Sequence, residues 1–442
     1  NKDTTIYGDE RTFKTFPSYS EPTGKGTEDN PYQIANLNNL AWLMGADTAW
    51  NKHFIQINDI NASETNSWYN GKGFSAINFT GTYNGQYHKI DSLYINRESE
   101  TNIGLFGFNK YSAQIEKLGV TNVDITGKKQ VGAIVGKNRG GIIKQCYASG
   151  KVNSNNSIGG LVGFNRSGTI KNIFNKVNVS SDGAKTGGIV GYSIFGSIIN
   201  CYSKGGISSE SPKTGGIVGD ILDAKIKNCY SVSSINTSGK GLVGRNGAGT
   251  IKNSFWDTET SGVSYSDGGT GLTTSEMQDF NTYYNAGWDF VNIWGFNPAE
   301  KNGYPFLKWE GLSNDIPNFI VKTIEVINKK ASTATINNLL LGLGDSNLTA
   351  HGACWDTTGT PTINNNTTDI GSTDTTGNFL SKLSGLEANK EYFARAYAMN
   401  NDTIVYGNVV SFTTLTHELE VGGNFYADDK IYDGTTHLDS VE

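Results

Sequence analysis

The side chains with the widest catalytic repertoire are scarce in this 442-residue chain and badly placed to act together. The histidines are His53, His88, His351, His417 and His437, and none opens an H-E-x-x-H pair. His417 and Glu418 begin His-Glu-Leu-Glu-Val, without the second imidazole that a zinc hydrolase helix needs. No G-x-S-x-G elbow, phosphate loop or C-x-x-C pair occurs. The acidic pairs Asp220/Asp223, Asp257/Glu259 and Asp428/Asp429 lack the D-x-D-x-D-G spacing of a calcium loop. Glycan cleavage would require clustered carboxylates for acid–base work, or a carboxylate-bound calcium beside a base. Residues 101–256 hold only Glu116, Asp124, Asp182, Glu210, Asp220 and Asp223. Of these, only Asp220 and Asp223 could lie together, and a solvated loop accounts for them. No catalytic, metal or cofactor residue is assigned, and the chain is read as not an enzyme.

Cations are the chemistry on offer. Residues 101–256 carry 19 Lys/Arg against 6 Asp/Glu, +13. The remainder carries 17 against 36, −19, for a total of −6. Lys144, Lys171, Lys227 and Lys252 hold one slot after a strand-opening isoleucine, with Ile199 interrupting the row. Arg166 and Arg245 stand near the preceding turn. Outward lysines can simply keep a sheet soluble. A stripe of like charge can also bind and steer an anionic glycan. These six residues are the candidate ligand contacts, and the expected partner is an extracellular glycan or host protein, not nucleic acid.

A repeat positions them. GLFGFN (104–109), GAIVGKN (132–138), GGLVGFN (159–165), GGIVGYS (187–193), GGIVGDI (215–221) and KGLVGRN (240–246) say one phrase six times. Its second glycine recurs at intervals of 29, 27, 28, 28 and 25 residues. A second phrase follows most copies: IIKQCY (142–147), IKNIF (170–174), IINCY (198–202), IKNCY (226–230) and IKNSF (251–255). A fixed period of this length means stacked units that bury their faces on one another. The phrases are Gly, Ile, Val, Asn, Ser and Tyr, almost without Ala, Leu or Glu, which argues against helical repeats. The expected fold is all-β: a right-handed parallel β-helix whose strands stack about 4.8 Å apart. Asn172, Asn200, Asn228 and Asn253, with Gln145 above them, should form an amide ladder. Tyr147, Phe174, Tyr202, Tyr230 and Phe255 should form an aromatic one. Cys146, Cys201 and Cys229 share a slot with Ile173 and Ser254, which reads as a buried packing position holding free thiols.

The two phrases together resemble the GLUG repeat of bacterial surface and secreted proteins, some immunoglobulin A peptidases among them. The leader G-T-x-D-x-P-Y-x-I, a leucine-rich helix and F-x-G-T-Y-N-G carries the resemblance back to about residue 24. It implies an exported β-solenoid scaffold and no particular activity. Without H-E-x-x-H, the peptidase activity of some of those proteins is not carried over.

Residues 1–23 read as an N-terminal extension and 24–311 as the solenoid, with short capping helices. At its start Leu37, Leu40, Trp42, Leu43 and Met44 predict a helix with Asn36 as N-cap. After Trp256, Thr273 and Glu276 form a capping box, and an aromatic-rich stretch (287–309) should cover the last coil. Residues 311–317 read as a linker. Residues 316–415 alternate strands and turns as an immunoglobulin-like sandwich does. G-A-C-W, the Leu386–Tyr392 spacing of a tyrosine corner and Y-G-x-x-V-S-F-T-T resemble bacterial fibronectin type III-like domains. Residues 416–442 resemble the opening of an adhesin module of the K-x-Y-D-G-T-T type. No apolar run is long enough to span a membrane. The reading is a secreted or cell-surface adhesin, a monomer within a longer modular bacterial protein. A glycan-degrading β-helix enzyme and a structural stalk are the alternatives.

Overall fold

The computed structural model describes residues 17–183, 185–236, 238–297, 301–311, 319–343, 348–401 and 404–416. The chain divides into two compact units, Asn1–Asp315 and Ile316–Glu442. The expected further module, with His417, Glu418, Asp428, Asp429 and His437, lies outside the described residues, as do residues 1–16.

The first unit is a parallel β-solenoid. The glycine phrases form strands Phe106–Lys110, Val135–Arg139, Val162–Arg166, Val190–Ile194, Val218–Leu222 and Val243–Gly247. With Ile77–Phe79 they make a seven-stranded parallel sheet. The extra strand comes from a stretch without the paired glycines, which the repeat alone does not announce. The isoleucine and aromatic phrases join a second, twenty-one-stranded sheet that wraps the rest of each coil. Its register is the expected one: Ile143 lies opposite Ile170, Ile170 opposite Ile198, and Ile198 opposite Ile226. All four are buried, so the alternating lysines face outward.

Two left-handed corners shape most coils. Ser167, Phe195 and Asp223, with φ of 55, 54 and 48°, turn the glycine strand into the isoleucine strand. Gln145, Asn172, Asn200, Asn228 and Asn253, with φ of 48 to 55°, turn the isoleucine strand into the aromatic strand. Asparagine suits that corner because its short amide compensates locally for the left-handed backbone. The amide ladder runs from Asn228 Nδ2 to Asn200 Oδ1 (3.3 Å) and from Asn200 Nδ2 to Asn172 Oδ1 (3.1 Å). It stops there. Gln145 donates instead to the Tyr87 hydroxyl (3.1 Å), while at Asn253 the backbone carbonyl accepts the Trp288 indole N–H (3.0 Å).

A second amide ladder lies wholly inside. Asn109 Nδ2 donates to Asn138 Oδ1 (2.8 Å), Asn138 to Asn165 (2.9 Å) and Asn165 to Ser193 Oγ (3.3 Å). Asn138 and Asn165 also donate to the carbonyls of Gly141 and Gly168, which satisfies amides that burial would otherwise penalise. Gly168 cannot carry a side chain, because its Cβ would overlap the Asn138 amide. Gly163 is bare for a different reason: the backbone of Gln130 and Val131 fills the space.

The helix Leu37–Gly45 closes one end, with Asn36 accepting from the Asn39 N–H and Leu40, Ala41, Leu43 and Met44 buried. At the other end, strand Thr270–Leu272 pairs with Phe255–Asp257, and Ser266 Oγ accepts from the Leu242 and Val243 N–H groups. The aromatic stretch therefore does not serve as an end cap. It runs back along the side of the stack as a strap over the ladder Tyr147–Phe174–Tyr202–Tyr230, whose rings lie 4.9 to 5.4 Å apart. Trp288 meets Phe255 and Tyr230, Trp294 meets Tyr230 and Tyr202, and Trp309 meets Phe174, Tyr147 and Tyr87. Glu310 fixes the strap by accepting from Tyr202 Oη (2.9 and 3.0 Å), the Leu307 N–H (2.8 Å) and Lys301 Nζ (2.7 Å).

The second unit is a fibronectin type III-like sandwich. Its described strands form one sheet of Phe319–Ile327, Ala334–Leu343 and Gly377–Leu383. The other sheet holds Ala350–Asp356, Asn366–Asp369, Glu391–Met399, Ile404–Tyr406 and Val410–Thr413. All pairings are antiparallel, and Ile336, Trp355, Leu386, Tyr392 and Phe412 share its core. The tyrosine corner is present, with Tyr392 Oη accepting from the Glu387 N–H (3.0 Å).

Candidate functional site

Most of the described polar residues that first suggested chemistry have structural partners. His53 Nδ1 contacts Thr82 Oγ1 (2.9 Å), His88 Nδ1 contacts Asp59 (3.1 Å), and buried His351 contacts the Gly371 carbonyl (2.7 Å). Asp257 caps the turn Thr258–Ser261 and also accepts from Thr274 Oγ1 and Tyr304 Oη. Burial pushes its carboxyl up, but these hydrogen bonds outweigh burial and hold it below the ordinary range. Glu259 accepts from the Thr274 N–H (2.9 Å). Glu116 pairs with Lys144 (2.6 Å) and Asp124 with Lys151 (3.1 Å). Among the described residues, no group of three His, Cys, Asp or Glu is arranged to hold a metal. No described helix is long and apolar enough to cross a membrane.

The six candidate cations fall on two different sheets. Lys144 stands opposite Lys171, and Lys227 opposite Lys252, with Ile199 between the pairs. That row begins at Glu116, which offsets Lys144. Arg166 and Arg245 belong to the seven-stranded sheet and occupy separate columns there. Arg166 lies beside Arg139, which lies beside Lys110. Arg245 ends the column Phe108, Lys137, Phe164, Tyr192, Asp220, Arg245.

This column was not singled out by sequence reasoning. Its signal was the variable slot directly after the second glycine of each phrase, which holds only aromatic or charged residues. Asp220 is fully buried there, with Arg245 Nε at 2.9 Å, Lys185 Nζ at 3.8 Å and Lys213 Nζ at 4.0 Å. Its Oδ2 accepts no hydrogen bond among the described residues. The other cations rest on rings. Lys137 Nζ lies 5.0 Å from the Phe108 centroid and 5.8 Å from that of Phe164. Lys185 Nζ sits 3.3 Å above Tyr192, and Lys110 4.9 Å from Phe108. Burial first, then Arg139 and Arg166, lowers the Lys137 pKa. Burial also lowers that of Lys185; Asp220 opposes this, while Lys213 and Arg245 add to it.

Comparison with known proteins places one coil directly. Residues 127–153 match the family model described as the GLUG motif. Halomucin of Haloquadratum walsbyi is 36% identical over 140 residues, 30% of this chain and 2% of that protein. A Gly-rich membrane protein of Evansella cellulosilytica is 44% identical over 69 residues, 15% of this chain and 8% of that protein. The chain thus spans a small fraction of the length of these curated relatives. Among solved structures, the sensor domain of the anti-sigma factor RsgI4 of Pseudobacteroides cellulosolvens aligns over 24% of this chain and 99% of its own, at 12% identity and a TM-score of 0.18. A fibronectin type III domain from human KIAA0970 aligns over 26% and 87%, at 15% identity and a TM-score of 0.17. The residues that match the GLUG motif, 127–153, are folded by the structure into one turn of a repeating parallel stack.

Proposed function

We propose that this chain is the binding part of a modular protein displayed at or released from the cell surface, which adheres to anionic extracellular glycans without cleaving them. The observation that carries the reading is the charge of the coils, +13 over residues 101–256 within a chain of net −6. A cationic rod between acidic segments concentrates polyanions on the rod and repels them elsewhere. The names of two relatives, a mucin-like one and a membrane protein, are in keeping with a surface location. Arg166 and Arg245 on the seven-stranded sheet are the proposed contacts; Lys171, Lys227 and Lys252 on the large sheet, and Lys144, which Glu116 offsets, act as the outward lysines that keep that sheet soluble. The sandwich serves as a spacer, and the protein acts as a monomer within a longer chain.

The test is retention of the full chain on heparin and mucin matrices, with turnover of the same polysaccharides followed in parallel. Salt-sensitive retention without turnover is expected. Turnover would favour a glycan-degrading enzyme, and no retention at low salt would favour a structural stalk.

A further inference from the structure

The two faces carry cations in different ways. On the large sheet Lys144 and Lys151 are each paired with a carboxylate, Lys176 lies 5.4 Å from the Phe174 centroid, and Ile199 separates Lys171 from Lys227 and Lys252, so no continuous cationic row forms there. The seven strands of the small sheet contain five basic residues and a single acidic one, Asp220. Here Lys110, Lys137 and Lys185 are held by aromatic rings. A ring attracts a cation through its quadrupole but has no net charge, so it fixes the position and leaves the charge uncancelled. Asp220 acts similarly as an anchor: one carboxylate gathers Lys185, Lys213 and Arg245 and leaves the group at about +2. Arg139 and Arg166 are exposed beside this column.

Successive coils repeat at about 4.8 Å, well inside the roughly 8 Å over which physiological salt screens charge. The cations of this face therefore repel one another, and a row of anions along the stack would relieve the repulsion. We propose that the outer face of the seven-stranded sheet is the docking surface for a linear sulfated or uronate-bearing polysaccharide lying along the stack axis. This rests on the adhesive reading above and assigns it to a face. Single-stranded nucleic acid is disfavoured because bases need free ring faces to stack on. Phe164 is 8% exposed with Lys137 over it, and the exposed rings of Tyr111 and Phe195 stand at corners three coils apart, too far to stack successive bases. The surface reads charge at a fixed pitch, and the rings serve to hold the lysines.

The experiment compares the full chain with two triple variants of equal charge change. One is Arg139→Gln, Arg166→Gln and Lys213→Gln on the proposed face, which leaves Asp220 its Lys185 and Arg245 partners. The other is Lys171→Gln, Lys227→Gln and Lys252→Gln on the large sheet. Heparin affinity is measured at several salt concentrations, with circular dichroism melts as the folding control. The face triple is expected to lose about ten-fold or more in affinity and to show a shallower salt dependence, by up to about three in log–log slope, while the other triple stays within about two-fold. Equal losses, or a greater loss from the large sheet, would overturn the assignment and leave the adhesive reading standing. Absence of heparin and mucin binding by the unaltered chain would remove both. Tighter binding of single-stranded or duplex DNA than of heparin would overturn the choice of ligand. If the face triple fails to fold, Arg166→Glu alone carries the test, with a clear loss of affinity expected and unchanged affinity overturning the assignment.

Discussion

Individual residues in this protein are chosen for what the neighbouring coil places against them. Cys146, Cys201 and Cys229 are buried and unpaired, with their thiols directed at backbone carbonyls two residues earlier. Burial pushes the Cys146 thiol up to about 12 and that of Cys354 up to about 11. A thiol reagent at mildly alkaline pH should therefore leave the native protein unlabelled and modify all four cysteines in denaturant. Rapid native labelling of Cys146, Cys201 or Cys229 would contradict the register. Asp257 gives a pH prediction. Its folded pKa lies below the unfolded one, so its stabilisation is complete above the unfolded value and is lost as pH falls through the folded value. Asp257→Asn should cost about 1.5–3 kcal/mol near neutrality and flatten the loss of stability below about pH 4. Thermal melts of both proteins from neutral to acid pH check this, and parallel curves would show that the carboxylate is not responsible.

At the scale of elements, the strap was the least foreseeable part. Trp309 reaches coils from Phe174 back to Tyr87, and its indole N–H donates to the Asn172 carbonyl (3.1 Å). Trp309→Ala should lower stability by about 2–4 kcal/mol and raise hydrogen exchange in strands Tyr147–Ser154 and Thr169–Ser181, with the sandwich unaffected. Unchanged exchange there would mean the strap does not brace those coils. The repeat made the coils legible because period and residue type fix which side chains stack: Lys144 on Lys171 and Tyr202 on Tyr230 follow from spacing alone. No period encodes where a non-repeating segment lies, so the aromatic residues of 287–309 revealed their burial but not their place. In the sandwich, the largely exposed strand Asn366–Asp369 has no buried face, so its residues carry no alternation to read. The cation–ring column was missed for the opposite reason: its residues vary from coil to coil, and only the stacking makes them one surface.

At the scale of the whole molecule, the two compact units imply separate folding. Residues 24–311 and 316–415, each expressed alone, should melt cooperatively at about the temperatures they show in the full chain. If either piece is unfolded alone while the full chain is stable, the boundary is misplaced. A plain solenoid is held together by nearest neighbours and can fray one coil at a time from an end. The strap changes how this one bears load. It leaves the stack after Leu272, runs back beside the coils and brings Glu310 to the hydroxyl of Tyr202 and Trp309 to the ring of Tyr87. Tension applied between residues 24 and 311 therefore pulls across the early coils and the strap in shear, and the coils from Tyr202 to Asp257 sit outside the line of force. Those later turns stay slack until the strap peels away, so the solenoid should resist stretching as a buckled loop rather than as a spring of equal turns.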